Sequence, residues 1–454
     1  MKNKLFKDFE AVSAKAWKQK IQVDLKGADY NDKLITKTPH GIDIKPFYHK
    51  DEINEKFSSP QNNTWEIAEQ ILFDHGIQNA INFTKDVVNR GAELIWVVIS
   101  NSNLDYKTYF DAVSDLNIHF FVEYQNPTHQ LSAIIIDSAK HHIAKFEIGI
   151  DPLHHFASTG NWWENLEKDQ QQWANLLTNS TVVANLDARL FQQAGATIPQ
   201  QLAYTMAQLN EYLNWANHLK ITKLEVKVIN AVGSNYFFEI AKIKALPFLI
   251  ESLLEAYEIE VDYTFFTTPS KRNKTLYDYN VNMLRTTTEC MSAVLGGSHV
   301  VANLAYDEIY HKSNDFGERI SRNQLLMLKE ESYFDKVKNP TDGVYYIDSL
   351  ISQFNESAWE IFKQLEQGGG YIQQLFDGKI QQKIKASSSE EIKAVETGEL
   401  ILVGTNKYKN PADRMKRELE ISPFIEKQSR KTLIEPIIER RIAEEIEQER
   451  MGNE

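Results

Sequence analysis

From about residue 65 to 370, short apolar runs alternate with longer segments whose apolar residues recur at helical spacing. A parallel sheet with crossover helices produces that pattern. The runs that read as strands lie at 71–73, 94–99, 120–122, 133–136, 182–184, 226–229, 263–266 and 300–302, and eight such runs predict a closed barrel. Between them, Leu202, Met206, Leu209 and Leu213 recur at spacings of four, three and four, which places one apolar stripe along a helix face. Phe237, Ile240, Ile243 and Leu246 mark a second helix, with Gly233-Ser234 before it as turn and cap.

The ends of the chain lack this alternation. Residues 1–60 are polar and broken, with Lys26-Gly27 and then Gly41-Ile42-Asp43-Ile44-Lys45-Pro46, so they read as an arm that packs on something else. Beyond Gly368-Gly369-Gly370 the chain is Gln- and Lys-rich to about 390, before the apolar run Leu400-Ile401-Leu402-Val403. From 434 to 450, isoleucines alternate with Glu and Arg at helical intervals, predicting an amphipathic helix that is either solvated or docked on a partner. The reading is therefore an arm over 1–60, a barrel over 61–410 and a charged helical tail over 411–454.

Composition narrows the function. The 454 residues are enough for one barrel with extensions. A net charge of -13 repels polyphosphate backbones and anionic lipid, which argues against nucleic acid and membrane partners. Cys290 is the sole cysteine, so an intrachain disulfide and a thiolate metal cluster are both excluded, and a reducing cytoplasm is the expected compartment. Among Met291 and Val294 it reads as a packing residue. The start of the chain has no apolar h-region and no run of about eighteen apolar residues occurs, so a soluble, unprocessed protein is expected. The pairs His141-His142 and His154-His155 read as packing or surface residues rather than metal ligands.

One block carries more information than any other: Arg285-Thr286-Thr287-Thr288-Glu289-Cys290, then Gly296-Gly297-Ser298-His299, then Asp315-Phe316-Gly317-Glu318-Arg319-Ile320-Ser321-Arg322-Asn323. It resembles the late barrel segment of the methylmalonyl-CoA mutase family. The stretch from Trp17 through Lys26-Gly27 to Pro46-Phe47-Tyr48 resembles that family's entry arm, which crosses to a partner subunit. Leu400 to Tyr408 resembles the strand that closes its barrel region. Over residues 15–410 the resemblance implies a (β/α)8 TIM barrel. It also implies a place in the interconversion of methylmalonyl-CoA and succinyl-CoA, a radical rearrangement begun by adenosylcobalamin.

The family's working residues are what this chain lacks. Cobalamin capture there uses a D-x-H-x-x-G loop, which is absent; Asp74-His75-Gly76 and Asp151-Pro152-Leu153-His154 have the wrong spacing. In Trp65-Glu66-Ile67-Ala68-Glu69-Gln70, Ala68 stands where the substrate-binding Arg would be and Gln70 where the catalytic Tyr would be. An alanine cannot replace a bidentate clamp on a carboxylate. In Asp187-Ala188-Arg189-Leu190 before Ala194-Gly195-Ala196-Thr197, Leu190 takes the place of a His that donates to the thioester carbonyl. Pro269-Ser270-Lys271-Arg272-Asn273-Lys274 replaces a substrate-side loop and reads as an exposed turn, with a residual phosphate contact as the alternative.

The resemblance with these losses implies the noncatalytic small subunit of a heterodimeric mutase. It has no catalytic, cofactor or metal residues of its own and no cobalamin-binding domain. Its partner is a large catalytic subunit that carries the adenosylcobalamin. Two alternatives remain: a stand-alone acyl-CoA mutase chain using a separate cobalamin-binding protein, and a regulatory adaptor of the mutase. No G-x-x-x-x-G-K-[ST] motif gives the second a nucleotide site of its own. A barrel freed from admitting coenzyme A is expected to fill its axis with larger side chains.

Overall fold

A computed structural model of the chain describes residues 9–53, 57, 64–100, 103–125, 129–425 and 430–454. Its centre is a closed barrel of eight strands: β1 (Glu66–Ile71), β2 (Leu94–Ile99), β3 (His119–Tyr124), β4 (Phe146–Ile150), β5 (Val182–Asp187), β6 (Lys223–Val232), β7 (Glu260–Pro269) and β8 (Val300–Ala302). Each strand pairs in parallel with the next, and β8 returns to β1 through Val300 on Glu66, Val301 on Ile67 and Ala302 on Ala68. Side chains alternate across the sheet. The outward set, among them Ile67, Ile95, Val97, Phe120, Val122 and Ile148, packs under the helical layer. The inward set forms an apolar cluster of its own.

The barrel is the fold the apolar runs predict, with one strand misplaced. Residues 133–136 lie inside a helix, His129–Ala139, whose Leu131, Ile135 and Ser138 are buried at helical spacing. The fourth strand is Phe-Glu-Ile-Gly-Ile at Phe146–Ile150. Its inward positions are Glu147 and Gly149, so it lacks the apolar run that marks the others. The first strand also starts earlier than the run at 71–73 and ends at Ile71.

Two further expectations change. Residues 400–408 do not close the barrel: they form a loop with a single internal bridge, Val403 to Lys407, because β8 already pairs with β1. The predicted tail helix begins only at Glu444 and runs to Gly452. Before it the chain is an extended strap bonded to the barrel. Ile434 N donates to Gly160 O, Ile437 N to Ala157 O, Arg440 N to Gln193 O and Ile442 N to Arg272 O. Backbone bonds made this way hold the chain straight, so no helix forms there.

The helix Ile198–His218 is buried along the predicted stripe and is capped by Gln200, whose side chain accepts from Thr197 N at 2.8 Å. At the arm, a hairpin pairs Thr36–Lys37 with Asp43–Ile44, and its tip residue His40 accepts from Ile198 N at 3.0 Å. Ile42 joins the core. The helix Ala14–Asp24 buries only Ala14 and is anchored by the stacking of Trp17 on Phe47, ring centroids 4.3 Å apart. Among the described residues no helix is long and apolar enough to cross a membrane.

Candidate functional site

The C-terminal ends of the strands carry the convergent polar groups, as in other barrels of this class. Glu123 comes from β3, Asp187 from the end of β5, and Arg189 from the turn that follows. Arg189 is held on both sides: its Nε and Nη2 reach Asp187 at 2.9 and 2.6 Å, and Nη2 reaches Glu123 at 2.8 Å. Its guanidinium also lies 5.4 Å from the Trp96 ring centroid. Asp151, just past β4, accepts from Tyr212 OH at 2.5 Å, Gln208 Nε2 at 2.9 Å, Asp187 N at 2.7 Å and His154 N at 2.8 Å.

The electrostatics follow from burial and pairing. Burial pushes the Asp151 carboxyl up to about 6, against the pull of His154 and the Tyr212 hydroxyl. Burial also opposes the charge on Asp187, but Arg189 and His154 outweigh it and hold that carboxyl below its ordinary value. Glu123, Asp187 and Arg189 therefore answer one another. A guanidinium already shared by two carboxylates has little left for a ligand.

Below the mouth the axis is filled. Trp96, Phe121 and Phe266 are fully buried, with ring centroids 5.7 Å apart for Trp96 and Phe121, 5.4 Å for Trp96 and Phe266, and 4.7 Å for Phe121 and Phe266. Trp96 Nε1 donates to Glu123 Oε2 at 3.1 Å, tying this layer to the mouth. Gly149 makes the packing possible, because a Cβ there would lie 2.8 Å from Phe121 Cζ. At the N-terminal end of the barrel, His119 Nε2 donates to Glu147 at 2.7 Å and Lys227 Nζ lies 3.0 Å from the same carboxylate. Burial disfavours charge on Glu147, yet His119 and Lys227 hold it well below the usual carboxylate range.

The residues singled out by sequence fall in two places. Ala68 and Gln70 share the inward face of β1, in a corner with Glu69, Glu308, Glu318 and Arg322. The void there is about 10 Å³, barely one water. Burial raises Glu69 to about 7 against the pull of Arg322, whose Nη1 lies 3.2 Å away. Burial, with Glu69 and Glu308 nearby, raises Glu318 to about 8. A substrate carboxylate entering this corner would meet Glu69, Glu308 and Glu318 as well as Arg322, whose charge already faces Glu69. Leu190 is buried in the core of the helical layer, and Arg189 beside it is the side chain of that turn that faces the mouth.

The stretch 269–274 is a buried junction, not an exposed turn. Arg272 is 3 % and Lys274 1 % exposed. Arg272 Nε donates to Glu391 at 2.7 Å and its Nη1 to Arg440 O at 2.7 Å, while Lys274 Nζ donates to Glu289 at 2.7 Å. These two cations are committed internally, and Lys271, the exposed cation of the stretch, pairs with Glu308 at 2.7 Å. The partners of Arg272 and Lys274 lie 119, 168 and 15 residues away in sequence, so local composition alone did not reveal them.

The strap then runs along one side of the mouth, bonded to Ala157, Gly160, Gln193 and Arg272. Its Glu439 comes down beside Lys271. Nothing in the tail's alternation of Ile, Glu and Arg announced this placement. His154 belongs to the mouth network, whereas burial lowers His142 and His155 to about 4. Among the described residues no group of His, Cys, Asp or Glu is arranged to hold a metal ion.

Comparison with known proteins adds the following. The family model for methylmalonyl-CoA mutase matches residues 97–450. Over 445 residues the chain is 30% identical to the methylmalonyl-CoA mutase small subunit of Porphyromonas gingivalis, covering 90% of this chain and 72% of that protein. It is 33% identical over 227 residues to the methylmalonyl-CoA mutase of Rhizobium meliloti, covering 48% of this chain and 32% of that one. With the methylmalonyl-CoA mutase large subunit of P. gingivalis it shares 28% over 230 residues, covering 49% of this chain and 32% of that protein.

Proposed function

Since the chain belongs to the methylmalonyl-CoA mutase family, we propose that it is the noncatalytic small subunit of an adenosylcobalamin-dependent mutase that interconverts methylmalonyl-CoA and succinyl-CoA. The active site and the cobalamin reside on a large partner subunit, which this chain stabilises and orients. A cytoplasmic heterodimer serving propionate metabolism goes with this reading.

The observation that carries it is the filled axis: Trp96, Phe121 and Phe266 occupy the path by which a thioester would enter. The strap bonded along one side of the mouth, with Glu439 near Arg189 and Asp187, narrows the room a cofactor would need there. Adenosylcobalamin supplies radicals by homolysis of its cobalt–carbon bond where it is bound, and no step of that chemistry is assigned to this chain. Ala68, Gln70 and Leu190 supply neither a clamp for the carboxylate nor a proton donor for the thioester. The helix Ala14–Asp24, with only Ala14 covered, supports an arm that completes its packing on the partner.

Calorimetric titration of the purified chain with coenzyme A and with adenosylcobalamin tests this reading. Heat consistent with neither ligand binding is the expected result. Stoichiometric binding of either would overturn it.

A further inference from the structure

The N-terminal end of the barrel, opposite the mouth, is closed by charge rather than by rings. Glu66, His119, Glu147 and Lys227 each stand two residues before an inward-facing residue of the axis, Ala68, Phe121, Gly149 and Ile229, so all four point inward in one layer below the rings. Their contacts run from strand to strand. His119 lies 2.7 Å from Glu147 and 3.4 Å from Glu66, while Lys227 lies 3.0 Å from Glu147 and 2.7 Å from Glu225. Lys145, just before β4, completes the layer at 2.7 Å from Glu147 and 3.7 Å from Glu225. Lys227 and Glu147 are 1% and 4% exposed, so the centre of the layer has lost its water and depends on these partners.

The layer balances only if His119 is charged. Glu66, Glu147 and Glu225 exceed Lys145 and Lys227 by one negative charge. Both ring nitrogens of His119 face carboxylate oxygens, and an ionised carboxylate only accepts, so each nitrogen carries a hydrogen and the ring is an imidazolium. A neutral ring has one N–H. Whichever carboxylate it served, the other would face a lone pair.

Other charged or titratable groups close by do not take over this role. Glu93, one residue before the β2 partner of His119, is held by Lys329 at 2.6 Å. His299 Nδ1 accepts from Phe265 N at 3.1 Å, and burial with Lys227 nearby disfavours charge on that ring. Burial works against charge on His119 too, but Glu147 and Glu66 outweigh it and hold the proton above the ordinary value of 6.5. Imidazole is the side chain that changes charge near neutral pH.

We propose that this layer is a proton-operated seal on the N-terminal end of the barrel axis: protonated His119 locks β1, β3, β4 and β6 together, and loss of its proton loosens that end. The contribution is fully present below pH 6.5 and is lost as pH rises through the higher value His119 has in the folded chain. The seal stands or falls independently of the small-subunit reading.

Amide hydrogen exchange of the full chain, corrected for the intrinsic pH dependence of exchange, tests it between about pH 6 and about pH 9. Opening at residues 119–121, 146–148 and 225–228 is expected to rise by about tenfold for each unit by which the His119 midpoint, read by NMR of the labelled ring, exceeds 6.5. His119→Lys keeps a cation throughout and is expected to remove the pH dependence. His119→Gln is expected to exchange at every pH as the wild type does at the alkaline end; should it fail to fold, the wild type and His119→Lys still decide. Wild-type exchange at this end that stays constant with pH, or that changes equally in His119→Lys, refutes the seal. A rise shared equally by the helix Ile198–His218 would make His119 an ordinary contributor to global stability and overturn it. A ring carrying a single N–H at about pH 6 would refute the imidazolium itself.

Discussion

Replacing Gly149 with alanine gives opposite signs according to whether the barrel axis is full. Gly149 lies in the β4 strand backbone and faces the axis. In such a position alanine on its own stabilises by about 0.4–1 kcal/mol, because it restricts the unfolded chain. The structure predicts the reverse. The new Cβ would lie 2.8 and 2.9 Å from Phe121 Cζ and Cε2 and 3.1 Å from Asn185 Cβ. Phe121 cannot retreat, since it is fully buried between Trp96 and Phe266. Overpacking a filled core costs about 1–3 kcal/mol, which leaves a net loss of roughly 1–2 kcal/mol. Urea unfolding followed by tryptophan fluorescence measures it as a lower midpoint at constant slope. Phe121→Leu alone is also destabilising, but combined with Gly149→Ala it gives the new methyl room. The pair is therefore expected to show a favourable coupling of about 1 kcal/mol. A Gly149→Ala protein as stable as the wild type, or more so, would mean that the ring has free space and the axis is not filled.

Other expectations rest on single contacts. Arg189→Leu strands the buried carboxylates Glu123 and Asp187 without their cation and is expected to cost about 3–5 kcal/mol in thermal or urea unfolding; a loss under about 1 kcal/mol would show that the mouth network is solvated. Burial, together with Glu69 and Glu308, raises Glu318 from 4.5 to about 8, so the folded state holds that proton more tightly than the unfolded one. Its contribution is fully present below pH 4.5 and is lost as pH climbs toward 8. Glu318→Gln should flatten the stability profile across that window, and an unchanged slope refutes the assignment. Burial raises the Cys290 thiol well above its ordinary value, so an alkylating reagent is expected to label it only in urea; rapid labelling of the native chain would contradict that.

The barrel was legible because most of its strands are buried on both faces and read as apolar runs. The exception explains itself: β4 carries Glu147 and Gly149 on its inward face, and both are there for neighbours that sequence position does not reveal. Glu147 answers His119 and Lys227, and Gly149 makes way for Phe121. The helix at His129–Ala139 was mistaken for a strand because three consecutive isoleucines outweigh a spacing of buried positions that only the fold makes visible. The letters at Ala68, Gln70 and Leu190 are plain in the sequence. What stands at the mouth could not be read there, since Arg189 meets Glu123 across 66 residues and Arg272 meets Arg440 across 168. Hydrophilic letters at 269–274 looked like surface, yet Ser270, Arg272, Asn273 and Lys274 are buried and Lys271 alone of the stretch is exposed. The apolar letters at 400–408 looked like a strand and remained in the open, because the barrel had already closed through β8.

The central claim is that this chain supports a catalytic partner without catalysing. Co-expression with the large subunit, purification through a tag on this chain, and assay of cobalamin content and methylmalonyl-CoA isomerisation test it most directly. The account predicts a one-to-one complex that holds one cobalamin and isomerises substrate, while this chain alone holds none and turns nothing over. Isomerisation, or stoichiometric cobalamin, on this chain by itself would contradict it.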